Sequence, residues 1–362
     1  MKTTASAVKT LCDMPKSHVQ KLILKLPQNT HLQQLGLARS AAARLQVLRT
    51  LRDVHPDIFS EVLWLAEGKN LPDQKDIDLV PLKSNILCLV EACRKLKVKY
   101  TIDSQRGIVA VYVKPKQPPL YFKRSRAPFN SAVVSEICKD KDALNSILQD
   151  SVHTPKGECY LDPDVEERYQ PYRMHLSLKA IAKDAMAKLG LPLIVKPNAG
   201  SEGRNVAKCT NSREVITALA EIYNKDSADY DSLALLQEYV EIAHEYRAVA
   251  FMGTVLLVYE KDISKAQHTD NFSPLHWQGA VAKHITDKSI LASLQEFTSN
   301  IYSKLAIEYC GYDIAIDKTG KMWLIEANTV PMFTIFLEHN SADLLIDMYE
   351  KILHTLFTPT SR

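Results

Sequence analysis

The stretch Leu324-Ile325-Glu326-Ala327-Asn328-Thr329-Val330-Pro331 sets a carboxylate and an amide two residues apart in an otherwise apolar run. Successive side chains of a strand point to opposite faces, so this spacing predicts that Glu326 and Asn328 share one face. An unpaired carboxylate in an apolar strand is costly. The pattern therefore favours a bound cation over the alternative interpretation, a solvated polar face.

Asp313 lies on the strand that is predicted to pair with this stretch through a turn at Asp317-Lys318-Thr319-Gly320. With the tip at the two central turn residues, the expected register sets Asp313 opposite Leu324 and makes Glu326 its diagonal neighbour, about 7 Å away. Hard oxygen ligands on one pleat suit Mg²⁺ that also bridges phosphates. The hairpin therefore predicts a metal site.

A second candidate site begins at Lys196, which ends a predicted buried strand and precedes a loop of small residues. Glycine lets the main chain approach phosphate oxygens closely, and lysine adds a positive charge. The loop fails the tests for a P-loop and for a dinucleotide-binding motif. A plain hairpin with a glycine turn stays open as the alternative. The loop residues of interest are Gly200, Ser201, Gly203 and Asn205.

A third candidate is the apolar strand Leu235-Leu236-Gln237, which leads into the polar residues Glu238, Tyr239 and Val240 and then to Glu245. Such a hinge can offer backbone groups to a purine edge and a carboxylate to a ribose. Alone, this pattern is weak.

The chain divides into a front part and a regular α+β part. Residues 1 to about 75 are predicted to be mostly helical, and a proline-rich elbow at 115–119 marks a domain boundary. From residue 192 onward, strands and helices alternate with two hairpins, which is typical of an α+β fold.

The composition is that of a globular protein of two or three domains, with 362 residues, 46% hydrophobic and 24% charged. Seven scattered cysteines without metal or disulfide spacing indicate reduced thiols and a cytoplasmic protein. No apolar run approaches the ~20 residues of a membrane span, and no secretory signal is expected. The net charge of +3 argues against nucleic-acid binding, although a localised basic patch stays open.

In this order, the three candidate sites resemble the ATP-grasp superfamily. The strand around Glu326, with the 13-residue interval from Asp313, is similar to the metal strand of D-alanine–D-alanine ligases. The stretch Asn130-Ser131-Ala132-Val133-Val134-Ser135-Glu136-Ile137 with Lys141 resembles cyanophycin synthetases and bifunctional glutathione synthetases. The resemblance implies two α+β lobes that enclose ATP, over residues 121–238 and 239–362. A mixed α/β domain over residues 1–120, with a role in substrate binding, precedes them.

The resemblance also implies the cofactors and the site. ATP and two Mg²⁺ (or Mn²⁺) ions are expected, with Asp313, Glu326 and Asn328 as metal ligands. Lys141 and Lys196 are expected to contact phosphates under the glycine loop. The residues 238–240 are expected to bind adenine, and the carboxylate of Glu245 is expected to bind ribose.

The implied reaction joins a carboxylate to an amine through an acyl-phosphate, with small-molecule amino acids or peptides as substrates and without nucleic-acid or membrane partners. Relatives often place an arginine near the acyl-phosphate, but after residue 245 this chain has only Arg247 and Arg362. We therefore expect Lys261, with Arg247 and a contribution from Lys283, to supply the cation. D-Ala–D-Ala ligation itself is not expected.

Several alternatives stay open. The chain is otherwise interpreted as a non-catalytic ATP-binding sensor or scaffold, or as an ATP-grasp small-molecule kinase. The loop with His268, His276, Trp277 and Gln278 lines the acceptor side or is an ordinary surface loop. Lys123, Arg124 and Arg126 bind a substrate carboxylate or form a solvated basic strand. A homodimer or homotetramer is expected only by analogy.

Overall fold

The computed structural model describes residues 4–23, 34–35, 37–38, 40–54, 59, 62, 85–103, 106–200, 202–269 and 271–357. The elements before residue 150 are α1 (Thr4–Asp13), α2 (Lys16–Ile23), α3 (Ala41–Val54), α4 (Asn85–Lys95), β1 (Tyr100–Asp103), β2 (Ile108–Val111), β3 (Leu120–Lys123), α5 (Ala132–Lys139) and α6 (Lys141–Leu148). Strands β1, β2 and β3 form a three-stranded antiparallel sheet in chain order.

The first lobe is built on an antiparallel sheet with the strand order β4-β7-β5-β6. Its elements are β4 (Gly157–Leu161), α7 (Leu178–Leu189), β5 (Leu193–Pro197), β6 (Ala207–Cys209), α8 (Ser212–Ile222) and β7 (Leu233–Glu238). Helix α8 begins as its sequence predicts, because Asn211 Oδ1 accepts a hydrogen bond from the Glu214 N–H at 3.1 Å. Both helices pack against the sheet through one apolar core.

The second lobe is built on an antiparallel sheet with the order β10-β9-β8-β11-β12. Its elements are β8 (Ile242–Phe251), β9 (Thr254–Asp262), β10 (Val281–His284), α9 (Lys288–Lys304), β11 (Tyr309–Asp317), β12 (Met322–Asn328), α10 (Thr334–His339) and α11 (Asp343–Phe357). On one face, the sheet packs against α5, α6 and α9. On the other face, α4, β2, β3, α10 and α11 cover the part of the sheet that contains Phe251, Tyr259 and Tyr309.

This partial cover positions the candidate site. The side chains of Val249 and Phe251 lie in the apolar core, whereas Glu245 and Arg247, which share their face, lie beyond it. The same core joins α4 and β3 to the second lobe, so it crosses the boundary predicted near residue 120. The boundaries at 120 and 238 stay predictions.

The register of the metal hairpin differs from the expected one. Asp313 pairs directly with Glu326, and Ile314 pairs with Leu324, so the expectation that Asp313 faces Leu324 is wrong. The reason is a β-bulge at Ile325, which inserts one extra residue into β12. The two carboxylates therefore lie side by side, and their mutual repulsion requires nearby cations.

No helix in the described part of the chain has both the length and the apolar character that crossing a bilayer requires. The seven cysteines are free thiols, as their scattered positions predict.

Candidate functional site

A row of four side chains, three of them charged, crosses the second sheet on its partly uncovered face. We call it the ionic row. The register sets Tyr259, Arg247, Asp313 and Glu326 side by side on β9, β8, β11 and β12. Arg247 binds Asp313 with two hydrogen bonds, from Nε to Oδ1 at 2.5 Å and from Nη2 to Oδ2 at 2.7 Å. Lys261 Nζ lies 3.2 Å from the same Oδ2. Both carboxylate oxygens of Asp313 are therefore shared with cations.

These charges stabilise one another inside the protein. Burial acts to raise the pKa of the Asp313 carboxyl, but the charges of Arg247 and Lys261 outweigh burial and lower this pKa. Burial acts to lower the pKa of Lys261, but Asp313 and Glu245 outweigh it and raise that pKa. Asp313, Lys261 and Arg247, whose own pKa is also raised, therefore stay ionised at neutral pH.

Lys261 has a second anionic partner, because its Nζ donates a hydrogen bond to Glu245 Oε1. The two side chains are 6% and 12% exposed, so this ion pair is nearly closed to solvent. Lys261, which was expected to supply a cation for catalysis, thus forms an ion pair with Glu245, which was expected to bind ribose. Their roles toward a nucleotide stay predictions.

Two lysines, one from α6 and one from β5, lie near Glu326. Lys141 begins α6, and its Nζ lies 3.7 Å from Glu326 Oε1 and donates to the carbonyl oxygen of Gly200 at 2.6 Å. Lys196 lies in β5 and is 7% exposed. Burial and the adjacent charge of Lys141 lower the pKa of Lys196 to about 8, while Glu326 acts in the opposite direction. This arrangement is a buried cationic patch that faces an anionic one.

Asn198 holds the first-lobe lysines in place, and the sequence analysis missed it. Its Oδ1 accepts a hydrogen bond from the Asp142 N–H at 3.0 Å, and its Nδ2 donates to Asp140 Oδ1 at 2.8 Å. Asp140 caps α6 by accepting from the Ala143 N–H at 3.0 Å. Because Asn198 is buried directly after β5, it fixes the start of α6, and with it Lys141, beside that strand. A polar residue just beyond a buried strand was the available signal.

The glycine loop rests against the loop over 263–280. Gly203 has φ +69°, and a Cβ added there would lie 2.4 Å from Asn271 Oδ1 and 2.7 Å from Ser273 N. Asn271 Nδ2 donates to the Glu202 carbonyl at 3.2 Å. The Asn271 carbonyl in turn accepts from Trp277 Nε1 at 2.5 Å. Asn271, which the sequence analysis missed, therefore links the two loops.

The other predicted loop residues have simpler surroundings. Gly200 lies so close to Pro197 that an added Cβ would approach its side chain to 2.9 Å. Asn205 adopts φ 53°, a conformation that asparagine tolerates better than most residues. Ser201 lies outside the described residues.

The predicted adenine hinge follows β7. Glu238 is held to Lys156 twice, because its N–H donates to the Lys156 carbonyl and its Oε1 accepts from the Lys156 N–H, both at 2.9 Å. Lys208 Nζ lies 3.6 Å from the centre of the Tyr239 ring. Glu238, Tyr239 and Val240 are all half-buried. Adenine binding by these residues stays a prediction.

The residues fit a divalent cation in part. Glu326 is 26% exposed at its side chain, and its separation of 3.7 Å from Lys141 is longer than a hydrogen bond. Asn328 Nδ2 is buried without a hydrogen-bond partner among the described residues, and rotation of the amide exchanges nitrogen for oxygen. Asp313 is occupied by two cations. Glu326 and Asn328 therefore fit a metal ion, and Asp313 fits only after Lys261 withdraws.

Within the described ranges, no three acidic, histidine or cysteine side chains gather closely enough to form a metal centre. A Mg²⁺ ion held by one or two carboxylates is commonly completed by waters and substrate phosphates.

Lys283 is not brought to the site. It pairs with Glu260 across β10 and β9, whereas Lys261 pairs with Ala282. Because Glu260 and Lys261 are successive strand residues, Lys283 lies on the face opposite to Lys261. In the loop over 263–280, the rings of His268 and Trp277 lie 4.6 Å apart. A role for this loop on the acceptor side stays a prediction.

Comparison with known proteins places these features in a family context. Residues 264–356 match the family model described as YheC/D-like ATP-grasp. A D-alanine–D-alanine ligase of Pseudomonas entomophila (strain L48) is 28% identical over 161 residues, which are 41% of this chain and 46% of that protein. A D-alanine–D-alanine ligase of Burkholderia cenocepacia (strain HI2424) is 29% identical over 171 residues, 43% of this chain and 49% of that protein. The chain thus spans about half the length of the curated relatives it matches.

Among solved structures, the chain is similar to the VanG D-Ala:D-Ser ligase of Enterococcus faecalis, with a TM-score of 0.45 and 19% identity over 63% of this chain and 64% of that one. The family match and the sequence relatives confirm the resemblance that the motifs indicate. The chain has an α+β ATP-grasp fold, and its similarity is to the carboxylate–amine ligase type.

Proposed function

We propose that this protein is an ATP-dependent ligase that joins a carboxylate to an amine with release of ADP and phosphate. The observation that carries the proposal is the meeting of buried lysines with a carboxylate and an amide on one strand. The buried lysines Lys141 and Lys196 face Glu326, which has an orphaned amide, Asn328, on the same pleat. A site for phosphates and a metal ion needs this combination, and similarity to ligases supports the choice of reaction.

ATP and Mg²⁺ are the cofactors in this proposal. Lys141 and Lys196 bind phosphate oxygens, and Glu326 and Asn328 hold the metal ion. When bound, Mg²⁺ supplies positive charge that neutralises the phosphates. Closure of the glycine loop, through Gly203 and Asn271, excludes water from the transferring phosphoryl group. Hydrolysis by water would waste ATP, so this exclusion favours transfer to the substrate carboxylate.

Arg247 and Lys261 act at the acceptor end of the site in this proposal. The substrate carboxylate attacks the γ-phosphate, and an amine then displaces phosphate from the acyl-phosphate. Arg247 is held by Nε and Nη2 on Asp313 and by a hydrogen bond with the Tyr259 side chain, so its fixed positive charge stabilises the developing negative charge without having to move. Asp313 is then a positioning residue that holds both cations. The substrates are an amino acid or a peptide.

A second candidate function is ATP binding without catalysis. The observation that favours it is Asp313, whose two oxygens are both committed to cations. A protein that only senses or displays nucleotide has no need to free this carboxylate.

One experiment tests the proposal. The protein is incubated with Mg-ATP and panels of amino acids and dipeptides, and ADP, free phosphate and new product masses are measured. Phosphate release that depends on both a carboxylate and an amine supports the ligase. A phosphorylated product without free phosphate identifies a kinase, and binding without turnover across the panels identifies a non-catalytic protein.

Two variants serve as controls in this experiment. Glu326→Gln removes the uncommitted carboxylate of the proposed metal site and is expected to abolish turnover. Glu338→Gln makes the same chemical change on an exposed side chain of α10 and is expected to leave turnover unchanged.

A further inference from the structure

The segment over 94–126 concentrates positive charge in an otherwise acidic chain. It contains ten Lys and Arg residues and one Asp, a net charge of +9. The rest of the chain has 35 basic and 41 acidic residues, a net charge of −6. The near-neutral total therefore hides a strongly basic segment, which includes the whole sheet β1-β2-β3.

Most of these cations are exposed and have no acidic partner in the described part of the chain. Ion pairs within the described residues account for Arg94, Lys95 and Arg106, whose partners are Glu91, Glu350 and Asp103. The remaining cations of the segment are exposed, and no ion pair joins them to the described residues. They are Lys97, Lys99, Lys114, Lys116, Lys123, Arg124 and Arg126.

The sheet sorts these cations into two groups at its two ends. At one end, Lys99 lies opposite Tyr112, with its Nζ 4.9 Å from the ring centre. Lys97 and Lys114 flank this pair along the chain. At the other end, Lys123 lies opposite Ile108. Arg126 exchanges two backbone hydrogen bonds with Lys123, and Arg124 donates one to Gly107.

Between the two groups, the outer face of the sheet carries no charge. Thr101, Ala110 and Tyr121 form one row across the three strands. Tyr121 is 61% exposed, although it is an aromatic residue on an outward-facing strand position. Thr101 is short and uncharged and Ala110 is buried between its neighbours, so the row is a shallow neutral floor beside a projecting ring. The opposite face of the sheet, with Val109 and Phe122, lies in the core.

The distance between the two groups of cations indicates which kind of ligand fits the face. Four residues of β2 separate Tyr112 from Ile108, which is about 14 Å at 3.4 Å per residue. In an extended peptide, side chains at positions i and i+4 have the same separation and point to the same side. Carboxylates at those two positions match the two basic ends, and a neutral residue between them matches the floor.

We propose that this outer face, defined by the two basic ends and the floor between them, docks an extended acidic peptide segment with carboxylates four residues apart. A peptide fits better than a nucleic acid, because a nucleic acid carries a negative charge at every nucleotide and would set charge over the neutral floor. This docking goes beyond the proposed ligase activity and does not depend on it.

Binding of two labelled peptides tests the proposal. Each peptide has ten residues, of which four are glutamates and the others are uncharged. The glutamates are arranged as Glu-Glu-x-x-Glu-Glu in the first peptide and as one uninterrupted run in the second. Fluorescence anisotropy with the full chain at low salt is expected to give at least threefold tighter binding of the first. A single-stranded oligonucleotide of ten nucleotides is added as a competitor.

Variants that remove positive charges test where the peptide binds. Lys99→Gln with Lys114→Gln removes charge at one end, and Lys123→Gln with Arg126→Gln removes it at the other. Each pair is expected to weaken binding about tenfold. The matched control, Lys288→Gln with Lys304→Gln, removes two exposed lysines of α9 in the second lobe and is expected to change binding less than twofold.

Three results would overturn the proposal. The first is equal loss of affinity in the control pair, which indicates attraction by net charge alone. The second is unchanged affinity in both test pairs. The third is displacement of the peptide by the oligonucleotide at lower concentration than by unlabelled peptide. Because all the substituted side chains are exposed, thermal unfolding is expected to be unchanged in every variant.

Discussion

At the scale of single residues, the two carboxylates of the ionic row have opposite surroundings. Asp313 is 5% exposed at its side chain and is bound by Arg247 and Lys261. Glu326 is 26% exposed, with Lys141 at 3.7 Å. The residue types and the 13-residue spacing predicted both as metal ligands. Only the three-dimensional contacts show that Asp313 is bound by two cations, whereas Glu326 has a single, longer contact with Lys141.

This difference predicts different costs of neutralisation. Asp313→Asn leaves two buried cations without their shared anion, so the free energy of unfolding is expected to fall by about 3 kcal/mol. Glu326→Gln removes an anion that lies 3.7 Å from Lys141 and makes no hydrogen bond to it, so it is expected to cost less than Asp313→Asn. Urea unfolding of both variants measures the two costs. Equal costs would contradict the assignment.

The lowered pKa of Lys196 predicts that nucleotide binding depends on pH. Its pKa of about 8 lies below the ordinary value of 10.5, so the folded protein releases this proton before the unfolded chain does. Its buried charge therefore costs stability below pH 8, and this cost fades as the pH rises toward 10.5. The ATP phosphates lose an attractive charge over the same range. The dissociation constant of ATP is expected to rise above pH 8, by up to about tenfold per pH unit.

A charge that does not titrate provides the control. Lys196→Arg stays protonated, so its ATP affinity is expected to be flat from pH 7.5 to 9.5. Burial raises the pKa of Cys138 and Cys159 to about 12, so these thiols stay neutral in this range. Isothermal titration calorimetry measures both proteins. The same pH profile in both would show that another group titrates.

At the scale of elements, hydrophobic periodicity predicted the strands that carry the site but not their register. The strands that carry Lys196, Glu238, Asp313 and Glu326 were predicted, because each has an apolar pattern of its own. The bulge at Ile325 was not predicted, since nothing in an apolar strand signals one extra residue. β4 and β10 were missed, because they are edge strands that owe their conformation to pairing with a neighbour.

The contact between the two loops predicts the effect of a single methyl group. Gly203→Ala introduces a Cβ at a positive φ and against Asn271, so the glycine loop is expected to separate from the loop over 263–280. Amide hydrogen exchange over residues 202–205 is expected to accelerate at least tenfold. Asn271→Ala, which removes the hydrogen bond to Glu202, is expected to have the same effect without backbone strain.

Gly320→Ala is the matched control for this contact. Gly320 also has a positive φ, of +88°, but no atom lies within 4 Å of the position of an added Cβ. Its replacement is expected to cost conformational energy in its own turn and to leave exchange over 202–205 unchanged. Acceleration by this control as well would attribute the effect to general destabilisation.

At the scale of the whole molecule, one apolar core joins the sheet β1-β2-β3 and α4 to the second lobe. The proline-rich elbow predicted a boundary at this point, because local composition marks where a chain can turn. It does not record which distant face the preceding elements cover. The helices α1, α2 and α3 have a separate apolar cluster.

Two leucines of equal burial test this grouping. Leu89 in α4 and Leu48 in α3 are each 1% exposed, so replacement by alanine is expected to cost about 2–5 kcal/mol in its own core. Leu89→Ala is expected to lower the hydrogen-exchange protection of β9, because they share one core. Leu48→Ala is expected to leave β9 unchanged. Equal effects of both variants on β9 would indicate one cooperative unit.

The central claim, carboxylate activation by ATP, is tested most directly by following oxygen. Once a substrate is found, its carboxylate is labelled with ¹⁸O, and the released phosphate is analysed by mass spectrometry. Attack of the carboxylate on the γ-phosphate predicts one ¹⁸O atom in each phosphate released. Phosphate that carries no label would contradict the claim, because its fourth oxygen would then have come from water.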